Sequence, residues 1–225
     1  MSSIVIHECE QGSAEWRAAR AGIPTASEFA SILAKGEGKM RRSYMLRLAG
    51  ERVTGIPAET YSNAHMERGR EMEAEARAWY ELVSAEPLRR VGFVRDDAKG
   101  AGCSPDCLVG ERGALEIKTA LPSVLLDKID RGGFPSEHKA QCQGVLWVAE
   151  REWIDLLIYW PGMTPYSVRA HRDRDYIKTL ASEVARFNDD LAATVEKYHR
   201  YGDPDGLRSA LVSSLTTPDN LIMAG

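Results

Sequence analysis

Apolar residues follow two different periods along the chain, and their order predicts a mixed architecture. Spacings of three and four predict helices after Ser13 and at 27–33, 43–54, 63–84, 122–130, 136–149 and 173–200. Short alternating or continuous apolar runs predict strands at 88–95, 101–109, 113–118, 153–160 and 166–170. Helices come first, followed by three strands, a helix, a strand and a helix. This order is typical of an α/β or α+β fold.

The amino-acid composition predicts a substantial hydrophobic core. Hydrophobic residues make up 44% of the 225 positions, and no repeat or Gly/Ser linker divides the chain. We therefore expect a single domain over 1–225, with its core at about 63–170 and a C-terminal helix and tail at 173–225. No run approaches the roughly 18 apolar residues of a membrane span. The N-terminus lacks a secretory signal pattern, so we expect a cytoplasmic protein with no membrane partner.

The net charge and the spacing of cysteines and histidines exclude few classes of function. The net charge of −4 argues at first sight against a nucleic-acid partner, because non-specific DNA binding relies on Lys and Arg. Clustered basic residues, or a geometry that encloses the strand, would overcome that average. The four cysteines include no CxxC pair, and the five histidines show no HxH or HExxH spacing. We therefore assign no residue to zinc and expect reduced thiols.

An acid and a base lie two residues apart on the strand predicted at 113–118. Alternation directs Leu115 and Ile117 into the core and Glu116 and Lys118 to the opposite face. On a central strand, such a pair can bind a metal ion and orient a water molecule. On a solvated face, the same pair would be an exposed ion pair of little consequence. The fragment alone does not decide between these readings.

A second carboxylate is predicted to converge on this strand. A turn through 110–113 would bring Asp106 beside Glu116. Two carboxylates at neighbouring strand ends make an oxygen-rich site, which suits Mg²⁺. The alternative for Asp106 is a Pro-Asp turn in which it caps backbone amides. Taken together, the two segments favour a metal site.

Three further polar residues are candidates for the same centre. Glu73 falls on the apolar stripe of the long predicted helix, which Met66, Gly69, Ala76, Tyr80 and Val83 define. An acid there requires a metal ion or an ion-pair partner. Asp96 follows the strand that ends at 95, although a polar turn explains it equally well. Gln141, on the helix after the site, could orient a phosphate or a water.

The spacing of these residues matches a known nuclease signature. Pro105-Asp106, nine residues and then Glu116-Ile117-Lys118 form the pattern of PD-(D/E)xK nucleases. From about residue 10 to residue 175 the chain resembles the phage lambda exonuclease family, also called YqaJ-type viral recombinases. The motifs that carry this resemblance are Glu15-Trp16, Arg20-x-Gly22-Ile23-x-Thr25-Ala26-Ser27, Gly69-x-x-x-Glu73-x-x-Ala76-Arg77, Cys103-Ser104-Pro105-Asp106, Leu115-Glu116-Ile117-Lys118, Gly132-Gly133-Phe134 and Ala140-Gln141-x-Gln143.

The resemblance implies both a fold and an activity. The fold would be a restriction-endonuclease-like core, with a central mixed sheet flanked by helices and with N- and C-terminal helical additions. The activity would be 5′→3′ digestion of one strand of duplex DNA to mononucleotides, which leaves a 3′ overhang for recombination. Relatives form a ring-shaped homotrimer around DNA and work beside a single-strand annealing protein. Such an enzyme would be phage- or prophage-encoded and would act in the bacterial cytoplasm.

By family position, the resemblance also assigns roles to residues. One or two Mg²⁺ ions per subunit, for which Mn²⁺ can substitute, would be bound by Asp106, Glu116 and the backbone carbonyl of Ile117. Lys118 would position and activate the attacking water. Glu73 and Gln141 match active-site residues. The terminal 5′-phosphate would be received by Arg20, Ser27 and Ser104. Contacts to DNA and separation of the end base pair would involve the loop with Met40 and Arg41, and also Met66.

Departures and alternatives remain. Cys107 stands where the family has Gly, Val145 where many related nucleases have Tyr, and the tail after Tyr201 has no clear counterpart. An endonuclease or junction resolvase could use the same centre, and a non-catalytic DNA-binding subunit could retain the fold. A nucleotide-dependent metabolic enzyme would need a phosphate-binding loop. The Gly36–Lys39 segment lacks the required spacing.

Overall fold

The computed structural model describes residues 4–34, 38–58, 64–202 and 205–208, with the side chains of all of these except 64–68 and 70. The α-helices are α1 Ala14–Arg20, α2 Phe29–Leu33, α3 Lys39–Thr54, α4 Ala64–Val83, α5 Pro122–Arg131, α6 Lys139–Val148 and α7 Arg174–Gly202. The strands are β1 Ile4–His7, β2 Leu88–Arg89, β3 Phe93–Asp96, β4 Ala101–Cys103, β5 Cys107–Val109, β6 Gly113–Thr119, β7 Trp153–Tyr159 and β8 Tyr166–His171. Short 3₁₀ turns occupy Ala26–Glu28 and Ser136–His138.

A five-stranded mixed sheet forms the centre of the fold. Its order is β2-β5-β6-β7-β8, in which β6 and β7 run parallel and the other neighbouring pairs run antiparallel. The parallel pair requires a crossover, which α5 and α6 provide. A smaller antiparallel sheet has the order β1-β3-β4. This architecture confirms the expected mixed α/β fold with a central mixed sheet flanked by helices.

Two predicted strands are wrong as single elements. The segment at 88–95 divides into β2 and β3, and the segment at 101–109 into β4 and β5, with each half in a different sheet. The first break lies at Gly92, where an added Cβ would come within 2.1 Å of the Cys9 carbonyl oxygen. The second break is Ser104-Pro105-Asp106, where proline lacks an amide hydrogen for a ladder. The pairing partner of β3, β1, is absent from the sequence-based prediction.

Helices cover both faces of the central sheet. On one face, α4 presents Met72, Ala76 and Tyr80 to Leu115 and Ile117 of β6. On the other face, α6 is almost entirely buried and packs with α2 and α7. The predicted stripe on α4 is correct at Ala76 and Tyr80. It is wrong at Val83, which is 59% exposed because the chain turns away at the helix end.

A hydrogen bond to a buried carboxylate ties α4 to the sheet. Asp155 on β7 accepts hydrogen bonds from Arg169 Nε at 2.8 Å and Nη2 at 2.9 Å, and from the Tyr80 hydroxyl at 2.6 Å. Its residue exposure is only 6%. All of these partners are intramolecular, so Asp155 has a structural role.

The N-terminal helices confirm one local prediction and correct another. The Ser13 hydroxyl caps α1 by accepting from the Trp16 amide at 3.1 Å, as its position before the helix predicts. Helix α3 begins at Lys39 rather than at 43, so the predicted basic loop is shorter; residues 35–37 of that loop lie outside the described residues. None of the helices described is long and apolar enough to cross a membrane.

Candidate active site

The β5–β6 hairpin brings the two predicted metal-binding acids together. Cys107 pairs with Leu115, so Asp106 occupies the next position, opposite Glu116. The Asp106 amide donates to the Leu115 carbonyl at 3.1 Å, and Asp106 Oδ2 accepts from the Ile117 amide at 2.5 Å. The turn that makes this register possible contains Gly110 at φ +51°, a conformation that favours glycine. Strand pairing therefore delivers both carboxylates to one place.

Glu116 and Lys118 point to the face of β6 opposite Leu115 and Ile117, as the alternation predicts. This face is not solvated, because α6 covers it and leaves Glu116 only 4% exposed. Glu116 Oε1 lies 2.8 Å from Lys118 Nζ and also accepts a hydrogen bond from Gln141 Nε2 of α6. Glu116 Oε2 is buried and has no hydrogen-bond partner among the described residues. The exposed-ion-pair reading of Glu116 and Lys118 is therefore excluded.

The cluster holds more acidic than basic side chains, and the pKa shifts of its members reflect that excess. Burial raises the pKa of Asp106 well above its usual range, and the nearby carboxylates of Glu116 and Glu73 raise it further. The Ile117 amide and Lys118 act in the opposite direction. Burial alone would lower the pKa of Lys118, but Glu116 and Asp106 outweigh it and raise that pKa, so the ammonium remains protonated. One ammonium therefore faces several acids.

The donor set fits a hard divalent cation. Carboxylate oxygens from Asp106 and Glu116 converge, and the unpartnered Glu116 Oε2 is a buried acceptor that a cation would satisfy. In the described part of the chain, no three His, Cys, Asp or Glu side chains converge at metal-binding spacing. The set is therefore two carboxylates plus other oxygen donors. The carbonyl of Ile117 as a third ligand stays a prediction.

A cavity of about 250 Å³ collects most of the predicted site residues. Those that line it are Arg20, Ser27, Glu73, Ser104, Asp106, Glu116, Ile117, Lys118 and Gln141. They come from α1, the turn before α2, α4, the break between β4 and β5, β6 and α6. Residues spread over more than 120 positions thus surround one space.

The part of this cavity lined by Arg20, Thr25 and Ser27 is suited to an anion. Arg20 is half-buried, and burial lowers the pKa of its guanidinium. Its Nη2 donates to the Thr25 hydroxyl at 3.3 Å, which lies 3.3 Å from the Ser27 hydroxyl. Among the described residues, no carboxylate forms an ion pair with Arg20. A half-buried cation beside hydroxyl groups, with no carboxylate of the described residues in ion-pair contact, can bind a phosphate.

Not every predicted site residue joins this cavity. Asp96 caps the turn after β3, where Oδ1 accepts from the Ala98 and Lys99 amides and Oδ2 lies 2.6 Å from Lys99 Nζ. The polar-turn reading of Asp96 therefore replaces the metal-site reading. Arg41 forms an ion pair with Asp190 of α7 at 2.8 Å, which uses part of its charge within the subunit.

Two predicted DNA-contacting residues lie elsewhere. Met40, the second residue of α3, is 67% exposed and does not line the cavity. Met66 lies on α4, but its side chain is outside the described residues. Both assignments stay predictions.

The cavity adjoins a larger groove of about 1000 Å³. The two spaces share Gln11, Trp16, Arg20, Glu73 and Asp106, and the groove adds three further arginines, Arg17, Arg77 and Arg90. The groove is also lined by Glu8, Glu10, Glu73 and Asp106, so its arginines are matched by as many carboxylates and do not form a net basic surface. The site therefore opens onto a larger groove that carries both signs of charge.

Sequence reasoning assigned no role to several cavity residues. Gln11 donates from Nε2 to the carbonyls of Val91 and Pro105, both at 3.1 Å, and so fixes the backbone just before Asp106. Thr25 reaches the site because it bridges to Gly102 beside β4. Trp16 and Thr25 belong to the motifs that carry the family resemblance, and those motifs are the sequence signal that could have marked them as site residues. No local pattern marks Gln11.

The sequence of residues 15–152 matches the family model of the YqaJ-like viral recombinase domain. The chain belongs to this family. The alkaline exonuclease LHK-Exo from Laribacter hongkongensis, in its complex with dAMP, is 33% identical, with a TM-score of 0.78 over 84% of this chain and 98% of that chain. A second structure of LHK-Exo gives 32% identity and a TM-score of 0.77 at the same coverage.

A more distant structure shares the fold alone. The phage-related exonuclease from Haemophilus somnus 129PT is 15% identical, with a TM-score of 0.52 over 76% of this chain and 96% of that chain. No curated protein sequence matches the chain significantly. Membership of the YqaJ-like family, with alkaline exonucleases as structural relatives, confirms the sequence-based expectation of a nuclease that acts on DNA.

Proposed function

We propose that this YqaJ-like protein is a magnesium-dependent 5′→3′ exonuclease, which removes mononucleotides from one strand of duplex DNA and leaves a 3′ overhang for single-strand annealing. The observation that carries the proposal is one cavity lined by two chemically different groups of residues. Asp106, Glu116 and Lys118 form one group, the acidic end, and Arg20 beside Ser27 forms the other, the basic end. A hydrolytic centre joined to an anion pocket suits an enzyme that begins at a phosphorylated strand end.

The acidic end would hold the cofactor. Asp106, Glu116 and the carbonyl of Ile117 are the proposed ligands of one or two Mg²⁺ ions, for which Mn²⁺ can substitute. When bound, the metal supplies charge neutralisation at the phosphate and a more acidic water. The buried, unpartnered Glu116 Oε2 and the raised pKa of Asp106 support this assignment, since a cation relieves both.

The protein side chains would then orient the reaction. Lys118, protonated and 2.8 Å from Glu116, is placed to hydrogen-bond the attacking water and to add positive charge near the phosphate. Gln141 holds Glu116 through its amide and so fixes the carboxylate. Glu73 lines the same cavity from α4 and adds a third acid to its wall.

The basic end would select the bond to be cut. A terminal 5′-phosphate seated on Arg20, with the Ser27 and Ser104 hydroxyls as further donors, would place the first phosphodiester near Asp106. All four residues line the one cavity of about 250 Å³. A pocket that receives a strand end, together with the alkaline exonucleases among the structural relatives, is why we favour an exonuclease over an endonuclease.

Assembly and partners belong to the same proposal. We infer a homotrimeric ring around DNA, as the family resemblance implies, because topological enclosure would hold a chain of net charge −4 on its substrate. A single-strand annealing protein would receive the 3′ overhang. Sedimentation analysis tests the ring: a trimeric mass supports it, and a monomeric mass at micromolar concentration contradicts it.

The direction in which the enzyme digests a DNA strand tests the proposal directly. Linear duplexes labelled at the 5′ or the 3′ end, together with a closed circular duplex, are incubated with Mg²⁺ or with a chelator. We expect labelled mononucleotides from the 5′ end at once, a large 3′-labelled strand that persists, and an intact circle. Cleavage of the circle would instead indicate an endonuclease or resolvase, and no cleavage of any substrate would indicate a binding subunit.

The anion pocket makes a second prediction. Duplex ends that carry a 5′-hydroxyl should be digested about tenfold or more slowly than 5′-phosphorylated ends, because a charge-assisted bond to Arg20 contributes roughly 1.5–3 kcal/mol. The measurement is the initial rate on two duplexes that differ only in this phosphate. Equal rates would remove Arg20 from end recognition.

A further inference from the structure

Trp16 lies where the cavity meets the groove, and the proposed mechanism gives it no task. It is the third residue of α1, it is half-buried, and it lines both spaces. Helix α1 itself buries no residue fully, so Trp16 is not part of a conventional helix–core contact.

The indole contacts both proposed phosphate-binding elements at once. Its Nε1 donates to the Ser104 hydroxyl at 2.9 Å and to the Gly92 carbonyl at 3.1 Å. The guanidinium carbon of Arg20 lies 3.9 Å from the ring centroid. One side chain thereby fixes two groups that come from α1 and from the break between β4 and β5.

These contacts have a direct chemical consequence for Ser104. An indole N–H is only a donor, so it must occupy a lone pair of the serine oxygen. The serine proton is therefore not used toward Trp16 and can be donated to an anion. The Trp16 ring also prepares Arg20 for an anion. Stacking on the ring keeps the long, flexible Arg20 side chain in one orientation before any ligand binds.

We propose that Trp16 is a positioning residue that holds Arg20 and Ser104 in the arrangement that receives a terminal 5′-phosphate. The inference rests on the proposed function. Trp16 touches neither the carboxylates nor Lys118 through any contact described above, so it should act on end selection rather than on hydrolysis. A merely structural role predicts something different, namely an equal loss on every substrate.

The test compares two substitutions on two substrates. Trp16→Phe keeps an aromatic face under Arg20 but removes the donor to Ser104, whereas Trp16→Leu removes both. The readout is the ratio of kcat/KM on 5′-phosphorylated ends to kcat/KM on 5′-hydroxyl ends. We expect roughly a fivefold fall in this ratio for Trp16→Phe, the value of the lost hydrogen bond to Ser104. We expect at least roughly a tenfold fall for Trp16→Leu, which also loses the cation–π contact.

Trp153 provides a matched control. It forms the same kind of pair, with the Arg169 guanidinium 3.6 Å from its ring, and it lines neither the cavity nor the groove. Trp153→Phe should leave the substrate ratio unchanged. Melting temperatures of all variants separate loss of folding from loss of selection.

A double mutant keeps the test decisive if Trp16→Leu is poorly folded. Ser104→Ala removes the side-chain acceptor of the indole N–H and leaves the Gly92 carbonyl, so Trp16→Phe should add little to its effect on the ratio when the two residues act through their mutual hydrogen bond. Fully additive effects on the ratio would overturn the inference, as would a wild-type ratio in Trp16→Phe or equal losses on both substrates. If the wild-type enzyme itself shows no phosphate preference, the pocket in the proposed function fails. A preserved preference in Trp16→Phe refutes only the role of Trp16.

Discussion

Replacing Asp106 by asparagine should make the metal-free protein more stable while it abolishes activity. Asp106 is buried beside Glu116 and Glu73, and these acids raise its pKa well above the usual range. The pKa of Asp106 in the folded protein therefore lies above its value in the unfolded chain, which is near 3.9. Ionisation of Asp106 then lowers the stability of the folded protein, and this loss of stability is absent below the unfolded-state pKa. It grows as pH rises toward the folded-state pKa and is full above that value.

The change in folding free energy on Asp106→Asn is the sum of two opposing contributions. Each pKa unit of elevation costs about 1.4 kcal/mol of folding free energy, which an uncharged Asn recovers. Asn can still accept from the Ile117 amide, although the loss of charge weakens that bond by about 1 kcal/mol. The pKa of Asp106 is raised well above its usual range, and an elevation of more than about one unit already outweighs the weakened bond, so we expect Asp106→Asn to be the more stable protein. For a chain of this size, each kcal/mol is roughly a 2–4 °C rise in Tm.

The assay is thermal unfolding at neutral pH, first with chelator and then with Mg²⁺. Ligand at about ten times its Kd should add about 1.4 kcal/mol to the wild type and nothing to Asp106→Asn. The advantage of the variant in chelator should shrink as pH is lowered toward 4. A variant less stable than the wild type in chelator, or one equally stabilised by Mg²⁺, would refute the reasoning.

Asp155→Asn is the matched control with the opposite sign. The Asp155 carboxylate is also buried, but Arg169 and the Tyr80 hydroxyl already satisfy it. Its neutralisation should destabilise the protein by about 1–3 kcal/mol, because those partners lose a charged acceptor. Destabilisation by both substitutions would mean that contacts within the protein stabilise the Asp106 carboxylate, as they do for Asp155, and would contradict the reasoning.

Three further predictions concern the centre and its support. Lys118→Ala should reduce cleavage by at least roughly 100-fold with duplex binding intact by fluorescence anisotropy; normal turnover would remove Lys118 from the mechanism. Gln141→Leu frees the Glu116 carboxylate and should weaken Mg²⁺ affinity by roughly 10–100-fold, read as the half-activating concentration. An unchanged value would contradict its orienting role. Gly144→Ala places a Cβ 2.5 Å from Phe29 and should lower the free energy of unfolding by about 1–3 kcal/mol in chemical denaturation. An unchanged free energy of unfolding would contradict the close packing of α6 on α2.

Sequence patterns predicted those parts of the site that depend on local geometry. Strand alternation separates Glu116 and Lys118 from Leu115 and Ile117, and a short turn places Asp106 opposite Glu116. Both follow from the period of a strand and from hairpin register. The same reasoning does not reveal that α6 buries the functional face of β6, since that depends on residues some 25 positions away.

The remaining features arise from contacts between distant segments. Gln11 reaches the Pro105 carbonyl across 94 positions, and Trp16 reaches Ser104 across 88. The two strand predictions fail because hydrophobic runs do not show where a chain changes sheets; the close approach of Cys9 to Gly92 becomes visible only after folding. Arg41 looks free to contact DNA in the sequence because its partner Asp190 is on α7.

Release of nucleotides from a 5′-³²P-labelled linear duplex is the most direct test of the proposed centre. Wild-type protein, Asp106→Asn and Glu116→Gln are compared with Mg²⁺ and with chelator, and the products are resolved by size. We expect labelled mononucleotides from the wild type with Mg²⁺ alone, and none from either variant. Mononucleotide release at the wild-type rate by either variant, or by the wild type in chelator, would contradict a metal centre built on Asp106 and Glu116.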